Sequence, residues 1–162
     1  MPGTSLLAIV MLAFKPLFDP SPCLIWNASN RVPKGLYLVA NHAPRIEEIA
    51  VLKLPDWAAI LADQRSYLPR NAWLLKPVTA SAGDTVCRFG AHVFVNGWHV
   101  ATALKQDKSE RTMPVWTGCK RLLVTEIFVL SKHRDSFDSR YLGPMSTDRV
   151  IGTAKRLAIL SK

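Results

Sequence analysis

The stretch H-V-F-V-N-G-W-H-V, residues 92–100, decides the fold class. Runs rich in β-forming side chains flank Asn96-Gly97, a dipeptide that supplies the two positive φ angles of a two-residue hairpin turn. Outward from this hairpin the chain keeps the same texture. G-L-Y-L-V-A (35–40), W-L-L-K-P-V-T-A (73–80) and L-V-T-E-I-F-V-L (123–130) are short and rich in Val, Leu, Ile, Phe and Tyr, in a chain punctuated by Gly and Pro, which predicts strands. One middle segment breaks the pattern. D-W-A-A-I-L-A-D-Q-R (56–65), behind Pro55 and with Asp56 in the capping place, predicts a short helix. Residues 104–115 are mostly polar and read as an exposed excursion between two strands. The expectation is a mainly β, single-domain fold.

A chain of 162 residues, 49% apolar and 20% charged, has the material for one domain with a real core. Its net charge of +9 attracts nucleic acid, anionic lipid or an acidic partner through the same long-range field. The basic residues, such as Lys105, Lys108, Arg111, Lys120, Arg121, Lys132, Arg134, Lys155 and Arg156, are scattered. They form no basic helix with interleaved aromatics and no zinc-finger spacing, so a solvated basic face, or attraction to headgroups beside an anchor, is favoured over nucleic-acid binding. Cys23, Cys87 and Cys119 lack C-x-x-C spacing, and neither a metal nor a cofactor is implied. Each reads as a buried thiol; in an oxidising compartment Cys87 and Cys119 could bridge, leaving Cys23 odd.

At the N-terminus, S-L-L-A-I-V-M-L-A-F (5–14) is followed by Lys15 and Pro16. A bilayer-spanning helix needs about 20 apolar residues, so this run is a marginal anchor or a signal-like core, with a truncated or buried helix as the alternative. Asp19 and the prolines at 20 and 22 interrupt the apolar residues that follow. The division is therefore residues 1–16 as anchor or signal-like segment and residues 17–162 as the domain.

Two motifs carry chemistry. In L-L-K-P-V-T-A-S-A-G-D (74–84), Lys76 sits among Trp73, Leu74, Leu75, Pro77 and Val78. A serine hydroxyl attacks only when a base takes its proton, and a lysine does this only when desolvation lowers its pKa. The bland reading is an edge-strand lysine facing solvent, a common guard against aggregation. In S-F-D-S-R-Y-L-G-P (136–144), Asp138 can pair with Arg140 and Ser136 can bond a nearby amine; the bland reading is a turn rich in Ser and Asp.

Taken with N-A-S-N-R-V-P-K-G-L-Y (27–37) and V-I-G-T-A (150–154), these segments resemble, in order and spacing, the signal peptidase I superfamily and its conjugative-transfer branch, TraF. The resemblance implies a β-rich fold of the LexA and signal-peptidase type with a short N-terminal helix. It implies Lys76 as general base ahead of Gly83-Asp84, Ser136 positioning that lysine, Asp138 ordering the site with Arg140 in support, and Ser29 in the oxyanion hole. Cysteines at similar places in TraF-type sequences imply a Cys87–Cys119 disulfide. The implied activity is Ser/Lys cleavage of exported pilin or secretion-system precursors at the periplasmic face of the bacterial inner membrane.

The departure lies in the first motif. TraF-like sequences read Asn, any residue, Ser or Thr, any residue, the nucleophilic Ser, one residue and Pro; here Asn27, Ser29, Arg31 and Pro33 fill those places. A guanidinium is always charged and cannot attack a carbonyl. Three readings stand: a serine peptidase in which Ser29 replaces the nucleophile, a pseudopeptidase that binds without cutting, and a basic membrane-associated nucleic-acid binder. Ser29 lies two residues early, roughly 6 to 7 Å along an extended chain, which a rigid site would not accommodate.

Overall fold

The computed structural model describes residues 24–29 and 31–157. The expected N-terminal anchor and Cys23 lie outside the described residues. Among those described, no helix is long and apolar enough to cross a membrane.

Two antiparallel sheets carry the fold. The larger contains β1 (Leu24–Asn27), β2 (Gly35–Ala40), β3 (Ile49–Leu52), β4 (Leu74–Ala80), β9 (Glu126–Val129), β10 (Met145–Ser146) and β11 (Val150–Arg156), in the order β1-β2-β11-β3-β4-β9-β10. The smaller contains β5 (Thr85–Phe89), β6 (His92–Val95), β7 (Trp98–Thr102) and β8 (Gly118–Arg121), in the order β7-β6-β5-β8. The strands expected at 35–40, 73–80 and 123–130 are β2, β4 and β9, the last two trimmed at their ends.

The hairpin forms as its turn residues dictate. Val95 pairs with Trp98, while Asn96 and Gly97 take φ values of 50° and 83°. The Asn96 side chain also accepts from the Thr85 amide at 2.8 Å and donates to Asp84 at 2.8 Å, which ties the turn to the start of β5. Cys87 and Cys119 lie opposite one another in the β5–β8 register and form a disulfide, with Cα atoms 4.0 Å apart. Both sit within strands. Val86, Val93, Leu122, Phe128 and Leu130 fill the core beneath this sheet.

Helix α1 (Asp56–Gln64) buries Ala58, Ala59 and Ala62 against Leu52, Leu74, Val78 and Val129. Small side chains let the helix approach the sheet closely. Asp56 is not its cap: Pro55 holds that position, and Asp56 is the first helical residue, where a carboxylate still favours the positive end of the helix dipole. Within the larger sheet, β11 runs between β2 and β3 with a bulge before Gly152. A Cβ on Gly152 would lie 2.5 Å from the Ala40 carbonyl oxygen, so the motif V-I-G-T-A needs glycine for this close backbone approach.

The site depends most on β4, which lies between β3 and β9, so Lys76 is on a central strand. Side chains alternate along a strand, which puts Lys76 on the face of Leu74 and Val78. That face is covered by the segment containing Phe137 and Tyr141.

Candidate active site

Lys76 is 1% exposed. Its ammonium donates to Ser136 Oγ at 2.6 Å, and Ser136 is itself fully buried. Burial lowers the Lys76 pKa to about 8; Asp138 opposes this by attraction, while Arg31 and Arg140 push it further down by repulsion. At pH 7 roughly one lysine in ten is then neutral, against well under one in a thousand for a solvated side chain. A base poised in this way can take a proton from a hydroxyl within hydrogen-bond reach.

The segment after β9 builds the frame. Asp138 caps the short helix α2 (Ser139–Leu142) by accepting from the Arg140 amide at 3.2 Å. Its carboxylate also accepts from Arg140 Nε at 2.8 Å, Arg140 Nη2 at 3.2 Å and the Ser131 amide at 3.0 Å. Both partners are almost wholly buried, so the charges neutralise one another and their remaining hydrogen-bonding sites are filled by backbone. Ser139 adds a bond from the Val129 amide to its Oγ at 3.0 Å, and Trp116 donates to the Ser139 carbonyl at 3.0 Å. Ser136 and Asp138 are thus held on a rigid turn against β4.

The first motif forms the opposite wall. Asn27 accepts from the Ser29 amide at 3.1 Å and the Ser29 hydroxyl at 2.8 Å, and donates to the carbonyls of Ser29, Val32 and Pro33. Tyr37 donates to the Pro33 carbonyl at 2.6 Å. Ser131 Oγ donates to the Arg31 carbonyl at 2.5 Å, which couples this loop to the Asp138–Arg140 pair. Asn27 and Ser131 organise the site; the sequence marks Asn27 only as the first place of its motif, and Ser131 not at all. Ser131 in particular follows an apolar strand without any motif, and its partner lies 100 residues away.

Lys76, Ser29 and Arg31 all line one cleft of about 340 Å³, whose other walls are mainly apolar, with Trp73, Leu75 and Phe137 among them. The lysine, the loop and the 136–140 segment therefore lie together. The hydroxyls do not complete a dyad. Ser29 Oγ is bonded to Asn27, and the hydroxyl that does reach Lys76, on Ser136, is fully buried and is not among the residues lining the cleft, so a substrate carbonyl has no access to it. Arg31, which fills the sequence place of the attacking group in the resembled pattern, lines the same cleft.

Comparison with known families gives a match to the model described as signal peptidase, peptidase S26, over residues 3–158. Among solved structures, a signal peptidase I from Enterococcus faecalis V583 is similar over 70% of this chain and 98% of that one, at 19% identity and a TM-score of 0.42. No curated protein gives a match.

Proposed function

This chain belongs to the signal peptidase S26 family, and from that premise we propose that it is a precursor-binding member of the conjugative-transfer kind, one that receives the processing segment of an exported pilin or secretion-system precursor without cutting it. The observation that carries the reading is a complete base beside an absent nucleophile. Lys76 is desolvated, bonded to Ser136 and backed by the Asp138–Arg140 pair, while the cleft it lines holds Arg31. An extended, mostly apolar segment with small side chains suits the cleft walls, and the resemblance to TraF supports a pilin precursor as its source. The working place is the periplasmic face of the bacterial inner membrane, a compartment that suits the Cys87–Cys119 disulfide.

A second reading has one observation in its favour: Ser29 lines the same cleft as Lys76. A local shift of the 27–31 loop would have to exchange its bond to Asn27 for one to Lys76. The test is to incubate membrane-inserted pilin precursor with wild type and with Ser29→Ala, following both retention and chain length. Binding without turnover predicts that both proteins retain full-length precursor. A shortened product made by wild type and lost in Ser29→Ala would establish Ser29 as the nucleophile instead.

A further inference from the structure

Arg31 stands at the junction of two cavities, the cleft of about 340 Å³ and a second of about 370 Å³ that shares Arg31, Tyr67 and Phe137 with it. Its Nε is buried and has no hydrogen-bond partner. Buried polar atoms are almost always paired, so such a nitrogen calls for an explanation. No ion pair found among the described residues involves Arg31. The cleft lining includes a second cation, Lys76, and no aspartate or glutamate. The second cavity does hold Asp107 and Asp135, but these pair with Arg111 and Lys108. Two like charges thus line a cleft of low polarity with no counter-charge on its own walls, which makes a place for an anion.

The shape of the donor selects the anion. A guanidinium presents its N–H groups side by side, a fork that matches the two oxygens of a carboxylate; with Nε enclosed, the Nη pair is the edge left to a ligand. The rest of the cleft is apolar, which suits aliphatic side chains better than a phosphate or a free metabolite. We propose that Arg31 makes this cleft a receptor for the free C-terminal carboxylate of an apolar peptide, so that the chain ends at Arg31 instead of running past it. The inference rests on the reading of the cleft as a non-cutting peptide site. It gives the substitution a positive role: the ligand is the product of a peptide-bond hydrolysis carried out elsewhere, since such cleavage is what creates a new carboxylate at the end of an apolar segment.

The test is calorimetric titration of the folded chain with a short apolar peptide ending in alanine, as the free acid and as the C-terminal amide, with full-length precursor as competitor. A charge-assisted pair lost on amidation corresponds to about a tenfold to hundredfold weaker dissociation constant. The free acid is therefore expected to bind wild type at least about tenfold more tightly than the amide, and Arg31→Gln to bring the two to parity. Equal binding of both peptides to wild type, each displaced by precursor, overturns the carboxylate inference and leaves the cleft a peptide site. Binding of neither peptide nor precursor overturns both the inference and the reading beneath it. A free-acid preference that survives in Arg31→Gln overturns the assignment to Arg31; because the acid and amide are first compared on wild type, the outcome does not hinge on the variant folding.

Discussion

Replacing Lys76 with methionine is expected to stabilise the protein at pH 7, although it removes a buried hydrogen bond. In the unfolded chain the lysine titrates near 10.5, and in the fold near 8. Between those values the unfolded chain binds more protons, so wild-type stability rises with pH through this window. Below it both states carry the proton, and the penalty of holding a buried ammonium stands at its full value, about 3 kcal/mol. Methionine has nearly the same length and no charge. Its cost is the Ser136 hydroxyl, which is fully buried and loses the partner it had at 2.6 Å, about 1 to 2 kcal/mol. The net expectation is a gain of about 1 to 2 kcal/mol at pH 7, or about 2 to 8 °C in Tm. Lys76→Met with Ser136→Ala should recover part of the lost hydroxyl term. Thermal melts of wild type and variant from pH 7 to 10.5 check this, the difference between them cancelling the tyrosines and other lysines that titrate in the same range. The gap should close as pH rises. A variant less stable than wild type at pH 7, or a gap independent of pH, would refute the claim that burial outweighs the attraction of Asp138.

Opening the Cys87–Cys119 bridge, by reductant or by paired serine substitutions, should lower stability by on the order of 3 to 4 kcal/mol in the chain-entropy picture for a separation of 32 residues, measured by denaturant unfolding with and without reductant. Asp138→Asn leaves the Arg140 guanidinium buried without its counter-charge, and about 3 to 5 kcal/mol of stability should be lost, whereas removing both partners together should cost less than the sum.

What could be read from sequence was the local chemistry. Asn96-Gly97 declares its hairpin because the positive φ values it favours belong to those two residues and to nothing distant. The Asp138–Arg140 pair was legible for the same reason, its members being separated by a single residue. The place of Lys76 was only half legible. An apolar run around a lysine fits an edge strand or a central one, and the choice is made by the strands that flank β4, with Ala50 opposite Lys76 on one side and Val129 opposite Val78 on the other. Ser131 was invisible because it acts through its backbone and through a carbonyl far along the chain. Ser29 was visible as a motif residue, but sequence could not say whether its hydroxyl turns to Lys76 or to Asn27. That depends on the Asx-type turn the asparagine makes with its own loop. Asp56 reads as a cap from sequence because a carboxylate at the first helical position and one just ahead of it look alike when Pro55 can fill either place.

On the proposed reading, base and frame are intact and only the nucleophile is missing. Precursor cleavage by Arg31→Ser, alone and combined with Lys76→Ala, tests it most directly, followed by the mass of the product from pH 6 to 10. Removing Arg31 also removes a repulsion that lowers the Lys76 pKa, so cleavage should rise with pH through a midpoint somewhat above 8. Wild type is expected to give no product, Arg31→Ser a defined product, and the double variant lacking Lys76 none. Cleavage by wild type that matches Arg31→Ser, or a folded, disulfide-bonded Arg31→Ser that binds precursor and leaves it whole, would contradict it.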